Sequence, residues 1–256
     1  MKRLEPPEIL VLTDLDDTLF RVRRKLRKRD GETPERSLSV GSDGKPRSFA
    51  PHREERQLRR LFETALVVPV TARGRSGLRR CALPIDGPAV LAFGGAILLD
   101  DGTPDPDWRA LVEETVAPEA GRLAFLKKET ERLAKERKLP VRVGIVEEDG
   151  LKLFVSVKPL DDDDAESVAM AAEDARRLAP EGWTLHLNDV SLALIPPGIS
   201  KERAASALLE RLAGPDTLVI GAGDSLTDLP FMRLCDWCVI PSDAQILELL
   251  SGKKLP

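Results

Sequence analysis

Three apolar runs, each ending abruptly in polar residues, constrain this chain more than anything else in it. Ile9-Leu10-Val11-Leu12 runs into Thr13-Asp14-Leu15-Asp16-Asp17-Thr18. Ala65-Leu66-Val67-Val68-Pro69-Val70 runs into Thr71, and Thr217-Leu218-Val219-Ile220 runs into Gly221-Ala222-Gly223-Asp224. A strand that is apolar at consecutive positions is buried on both faces, as in a parallel sheet with helices on either side. In open α/β sheets the ligand site lies outside the carboxyl ends of the strands. Three polar strand ends therefore predict one convergent site.

The 256 residues suffice for one large domain or two modest ones. Hydrophobic residues at 42% and charged residues at 32% are the balance of a soluble globular protein. Aromatics are only 4% and Tyr is absent, so the core must be mainly aliphatic. A net charge of −4 gives no global attraction to nucleic acid or to a membrane. The run Ile9 to Leu12 is too short for a signal-peptide core or a membrane span, and the chain reads as cytoplasmic. Cys235 and Cys238 form a Cys-x-x-Cys pair, but the other candidate ligands, Cys81, His52 and His186, are isolated in sequence. Two small buried thiols beside a strand is the expected reading.

Helical spacing marks His52 to Phe62 and Ser200 to Leu212, the latter stopped by Gly214-Pro215. Ala89 to Phe93 reads as a further strand, followed by a glycine turn and Ile97 to Leu99. From about Pro104 to Pro196 the texture changes. A helix from Trp108 to Lys138, broken near Pro118, precedes a hairpin of Val141 to Val146 and Lys152 to Val157. A second helix, Asp164 to Leu178, precedes strands Thr184 to Leu187 and Ser191 to Ile195. This αββαββ order predicts a small antiparallel sheet covered by helices on one face, inserted into the parallel-sheet fold. The boundaries are a core of residues 1–104 and 197–256, with an insert of 105–196.

Two charge runs need separate readings. Asp161 to Asp164 precedes a helix, where acids complement the positive N-terminal end. Arg21 to Arg29 holds seven basic residues in nine. It reads first as a solvated loop or short helix, and second as an attractor of an anionic substrate. The Gly-, Ser- and Pro-rich stretch from Asp30 to Arg47 is expected to be a mobile loop or hairpin.

The chemistry concentrates in Asp14, Asp16 and Asp17 at the first strand end. Packed carboxylates repel, and a divalent cation offsets that repulsion. Asp224 and Asp228 of Gly223-Asp224-Ser225-Leu226-Thr227-Asp228 are placed to complete the set. Oxygen ligands beside phosphate suit Mg²⁺. Thr71 and Lys201 would supply a hydroxyl donor and a positive charge for phosphoryl oxygens.

Taken in order, Asp14-Leu15-Asp16-Asp17-Thr18, Val70-Thr71-Ala72-Arg73, Gly198-Ile199-Ser200-Lys201 and Gly223 to Asp228 resemble the four motifs of the haloacid dehalogenase superfamily. The insert is similar in layout to the type-C2 cap of sucrose-phosphatase-like and trehalose-phosphatase-like members. The resemblance implies an α/β fold, a Rossmann-like parallel-sheet core with an inserted α+β cap. It implies a Mg²⁺-dependent phosphomonoester hydrolase acting on a small phosphorylated metabolite, with a phosphorylated sugar as the expected class. Asp14 would be the nucleophile and a metal ligand. Asp16 would be the acid/base, with its carbonyl on the metal. Thr71 and Lys201 would hold the phosphoryl group, and Arg73 would stand near substrate. Asp224 would ligate the metal, with Asp228 supporting the metal or Lys201. Departures are Thr227 where type-C2 members have Asn, Gly94 where they have the Asn of an Asn-Gly-Ala turn, and a long Arg21 to Arg47 segment.

Other readings stand beside this one. A phosphosugar mutase would shield the phosphoenzyme from water and yield isomerised product. A catalytically silent binding module would not need the whole set of site residues. Nucleic-acid binding through Arg21 to Arg29 would be strongly salt-dependent, and no wider basic face supports it.

Overall fold

The computed structural model describes residues 6–26, 36–161, 164–188 and 190–252. The chain divides into two compact units, Met1–Asp105 with Lys201–Leu255, and Pro106–Ser200.

The first unit is built on β1 (Ile9–Thr13). It pairs in parallel with β12 (Leu218–Ala222) on one side and β5 (Leu66–Pro69) on the other. β13 (Trp237–Val239) extends the sheet beyond β12, giving the order β13-β12-β1-β5. Leu10, Val11 and Leu12 are all buried, which accounts for the unbroken apolar run. A bridge from Val70 to Val90 carries the layer on to β6 (Ala89–Leu91), which forms an antiparallel pair with β7 (Ala96–Leu98). Helix α1 (His52–Thr64) buries Leu58, and α6 (Lys201–Leu212) buries Ala204, Ala205 and Leu208. The short α7 (Leu229–Met232) buries Phe231 and Met232.

The described residues of the long segment after β1 include a sheet of their own. β2 (Arg21–Val22), β3 (Ser39–Val40) and β4 (Pro46–Phe49) form an antiparallel sheet in the order β2-β4-β3. The Gly-rich stretch thus supplies a hairpin, turned at Gly41 to Gly44 with the Gly41 amide on the Lys45 carbonyl. Arg21 departs from a solvated reading. It is 4% exposed and faces Glu54 and Asp243 at 3.7 and 3.9 Å. Arg27, Lys28 and Arg29 of the basic run lie outside the described residues.

The second unit has α3 (Pro106–Val116) and α4 (Ala120–Glu136), separated by a 3₁₀ turn over Ala117–Glu119. Pro118 causes the break, since it lacks the amide that would continue the helix. β8 (Val141–Glu148) and β9 (Leu151–Pro159) form a hairpin closed by Asp149 and Gly150. Both turn residues have positive φ, 50° and 79°, the geometry that matches the twist of a two-residue hairpin. α5 (Ala165–Leu178) starts on Asp164, whose side chain accepts from the Ser167 amide at 3.0 Å. One acid of the Asp161 to Asp164 run is therefore a helix cap, and Asp162 and Asp163 lie outside the described residues. β10 (Thr184–Asn188) and β11 (Ser191–Ile195) complete an antiparallel sheet ordered β10-β11-β9-β8. Leu123 and Leu126 of α4, Val168 and Ala175 of α5, and Val155, Val157, Leu192 and Leu194 of the sheet form one core. Each fully buried aliphatic side chain of this kind contributes roughly 1.5–3 kcal/mol. Among the described residues no helix is long and apolar enough to cross a membrane.

Candidate active site

β1, β5 and β12 end side by side. The Asp14 amide donates to the Ala222 carbonyl at 2.9 Å, and the Val70 amide to the Thr13 carbonyl at 2.7 Å. Beyond β1 the chain turns sharply through Asp17, at φ 61°, and the Asp17 amide bonds the Phe20 carbonyl. Leu15 enters the apolar core while Asp14, Asp16 and Asp17 stay with the polar groups. The Thr18 hydroxyl donates to Asp224 Oδ1 at 3.1 Å, tying this turn to the end of β12.

Lys201, the first residue of α6, is 4% exposed. Its Nζ donates to Asp14 Oδ1 at 2.7 Å and Asp228 Oδ1 at 2.6 Å. The Phe93 ring centroid lies 5.9 Å from the same nitrogen. Asp228 Oδ2 accepts from the Ser225 amide (2.9 Å), the Ser225 hydroxyl (2.7 Å) and the Asp224 amide (3.2 Å). Both Asp228 oxygens are thus committed to Lys201 and to the loop. Thr227, at the Asn position of the resemblance, reaches Ser225 Oγ at 2.9 Å. Gly223 is required here: a Cβ would lie 2.5 Å from Asp228 Cβ and 2.9 Å from Met232 Sδ.

Burial pushes the Asp14 carboxyl well above the usual range. Lys201 opposes that shift, while the charges of Asp228, Asp224 and Asp16 add to it. Burial, then the charges of Asp228 and Asp17, push Asp224 up to about 7. Asp228 goes the other way. Burial alone would raise it, but the charge and hydrogen bonds of Lys201 and the bonds from Ser225 hold it low. Burial likewise works against the Lys201 charge, and the Asp14 and Asp228 carboxylates more than offset it, so the lysine stays cationic.

Asp14, Asp224 and Asp228 each offer an oxygen, and these lie within 4.8 Å of one another. An all-carboxylate donor set in which burial and like charges push two members, Asp14 and Asp224, above their ordinary range fits a hard divalent cation such as Mg²⁺. Thr71 is 1% exposed, and its Oγ1 accepts from the Arg73 amide at 3.1 Å. Arg73 grips Asp16, with Nε to Oδ2 at 2.6 Å and Nη2 to Oδ1 at 2.7 Å.

Several contributors escaped the sequence reading. Ser225 and Thr18 lie inside quoted motifs yet gave no sign of their partners. Lys25 of the basic run reaches Asp17 Oδ2 at 2.5 Å. The turn before Gly94 carries Ala92 and Phe93 at φ 50° and 59°, buried against α6. The paired glycines Gly94-Gly95 marked a turn there but not its left-handed residues. Cys235 is half-buried and Cys238 exposed, so the expectation of two buried thiols is corrected. β13 lies at the sheet edge and leaves Cys238 uncovered.

Solved structures share this fold. The sucrose-phosphatase of Synechocystis sp. PCC6803, in complex with sucrose and phosphate, aligns with a TM-score of 0.51 at 15% identity, over 96% of this chain and 87% of that one. The C-terminal domain of trehalose-6-phosphate phosphatase from C. albicans aligns with a TM-score of 0.56 at 13% identity, over 88% and 72%. The chain shares the fold of these two phosphatase structures. A trehalose-6-phosphate phosphatase related protein aligns with a TM-score of 0.51 at 18% identity, over 92% and 88%. No family model matches the sequence, and no curated protein matches it.

Proposed function

We propose that this chain is a Mg²⁺-dependent phosphomonoester hydrolase working through an aspartyl phosphate on Asp14, with a phosphorylated sugar as its substrate class. The observation that carries the reading is the meeting of Asp14 and Asp224 within 4.8 Å, with Lys201 Nζ 2.7 Å from Asp14. The sugar assignment draws on the neighbours named above, one complexed with sucrose and phosphate and two named for trehalose 6-phosphate. On the same reading the Pro106–Ser200 unit is the substrate-selecting cap, and the free thiols suit a cytoplasmic setting.

Asp14, Asp224 and the Asp16 carbonyl would hold the cation, with Asp228 at its margin fixing Lys201. Bound there, Mg²⁺ supplies charge neutralisation for the phosphoryl oxygens. Asp14 attacks phosphorus, the bond to the leaving oxygen breaks, and Asp16 gives that oxygen a proton. Asp16 then takes a proton from water, the water oxygen displaces Asp14 from phosphorus, and inorganic phosphate leaves. Lys201 and the Thr71 hydroxyl stabilise the equatorial oxygens throughout.

The test is phosphate release from p-nitrophenyl phosphate and a panel of sugar phosphates, with and without Mg²⁺. Asp14→Asn is expected to bring release to background. Release retained in that variant removes Asp14 as nucleophile.

A further inference from the structure

We propose that Arg73 serves this site as a bracket for the Asp16 carboxylate and not as a ligand for substrate. The inference deepens the phosphatase reading and rests on it.

Every nitrogen of the guanidinium is committed. Nε and Nη2 take the two Asp16 oxygens at 2.6 and 2.7 Å. Nη2 also reaches Ser39 Oγ at 3.3 Å, and Nη1 reaches the Gly77 carbonyl and Cys81 Sγ, both at 3.3 Å. The guanidinium carbon lies 5.2 Å from the Phe20 ring centroid, a stacking distance. Gly77, in the short helix α2 (Arg75–Leu78), makes room for the side chain, since a Cβ there would sit 3.2 Å from Arg73 Cβ. The Arg73 side chain is 15% exposed, while the Asp16 side chain is 44% exposed. Asp16 is therefore the partner that meets a ligand, and Arg73 stands behind it.

A guanidinium fork fixes both the position and the plane of a carboxylate, which a single bond does not. Asp16 has two free side-chain torsions and would otherwise sample several rotamers. A misplaced proton-transfer group costs rate steeply. To bind a phosphoryl group, Arg73 would have to abandon Asp16 along with Ser39, Gly77 and Cys81. In the acid half of the reaction one Asp16 oxygen carries the proton while the other keeps its bond to the fork. In the base half both bonds persist. Ser39 belongs to β3, so the insert after the first motif reaches the acid/base through this arginine.

The test compares leaving groups. A p-nitrophenolate leaves with little protonation, whereas a sugar alkoxide needs the proton from Asp16. Arg73→Met should lower kcat/KM for glucose 6-phosphate or another alkyl phosphate about 100-fold, and for p-nitrophenyl phosphate less than about fivefold, because kcat/KM reports formation of the aspartyl phosphate and not its hydrolysis, which both substrates share. Inhibition by inorganic phosphate should be unchanged. Asp16→Asn should give the same pattern, and the double variant should be no worse than the more severe single one. Arg73→Lys keeps the charge without the fork and should fall between. Equal losses on both substrates, or weakened inhibition by phosphate, would overturn the bracket role and make Arg73 a substrate ligand. If Arg73→Met does not fold, Arg73→Lys and Ser39→Ala carry the same comparison. Absence of turnover by the unmodified chain on either substrate would overturn the phosphatase reading itself, a result distinct from equal losses.

Discussion

Asp14 and Asp224 share a corner crowded with negative charge, whereas Asp16, two positions from Asp14, rests in the fork of Arg73. In the first corner burial and like charges hold Asp14 and Asp224 above their ordinary range, and Lys201 compensates only in part. In the second corner a carboxylate meets a matched cation at 2.6 and 2.7 Å. The difference teaches what each corner is for. On the proposed reading, the groups that accept the cation are left under-compensated, and the group that must keep one orientation is fully engaged.

The comparison breaks most sharply at Asp224. Asp224→Asn should lower Mg²⁺-dependent phosphate release about 1,000-fold, the scale of losing several kcal/mol of transition-state charge stabilisation. A steady-state assay across Mg²⁺ concentrations checks it, and near-normal turnover would show that the crowded corner does not take the metal. Next comes Gly223→Ala. The added Cβ pushes on Asp228 and Met232, and overpacking of this kind costs about 1–3 kcal/mol. The expected readout is a lower melting temperature together with reduced kcat, because Asp228 orients Lys201.

The smallest effect is the most direct on the contrast, because the two corners should answer with opposite signs. Without metal at pH 8, Asp224→Asn should raise stability by about 1 kcal/mol through relief of buried repulsion. Asp16→Asn should lower it by about 1 kcal/mol or less, the partner being partly screened by solvent. The pH dependence follows from the raised Asp224 carboxyl. Its contribution to metal-free stability is fully present below its ordinary value of 3.8 and is lost as pH rises to about 7. Mg²⁺ binds the ionised form, so the melting-temperature gain from Mg²⁺ should grow between pH 6 and pH 8. A gain that shrinks over that interval would contradict the assignment. Thermal scans of the two variants, with and without Mg²⁺, measure both effects.

Much of the fold was legible because its signals are local. The unbroken run Ile9 to Leu12 announced a strand covered on both faces, and Pro118 announced the break between α3 and α4. The hairpin of Val141 to Val146 and Lys152 to Val157 was likewise legible. Around the site, the three polar strand ends lie side by side because parallel strands in register finish together. Partnerships across the fold were not legible. Arg73 and Asp16 are 57 positions apart, and nothing in either motif says that the arginine turns back toward the aspartate. Ser39 and Lys25 come from stretches of the Arg21 to Arg47 segment whose composition suggested a loop, a short helix or a hairpin but no partners in the site. Their roles depend on a small sheet whose register is set by contacts rather than by alternation.

That segment also settles an arithmetic of charge at the mouth of the site. Asp14, Asp16, Asp17, Asp224 and Asp228 are linked through the contacts above to Lys25, Arg73 and Lys201. Fully ionised, five carboxylates against three cations leave an excess of two negative charges, which one divalent ion brings to parity. Without Lys25 on Asp17, the loaded mouth would remain anionic and repel an incoming phosphate ester. On the proposed reading the insertion after the first strand would thus tune how readily a dianion approaches.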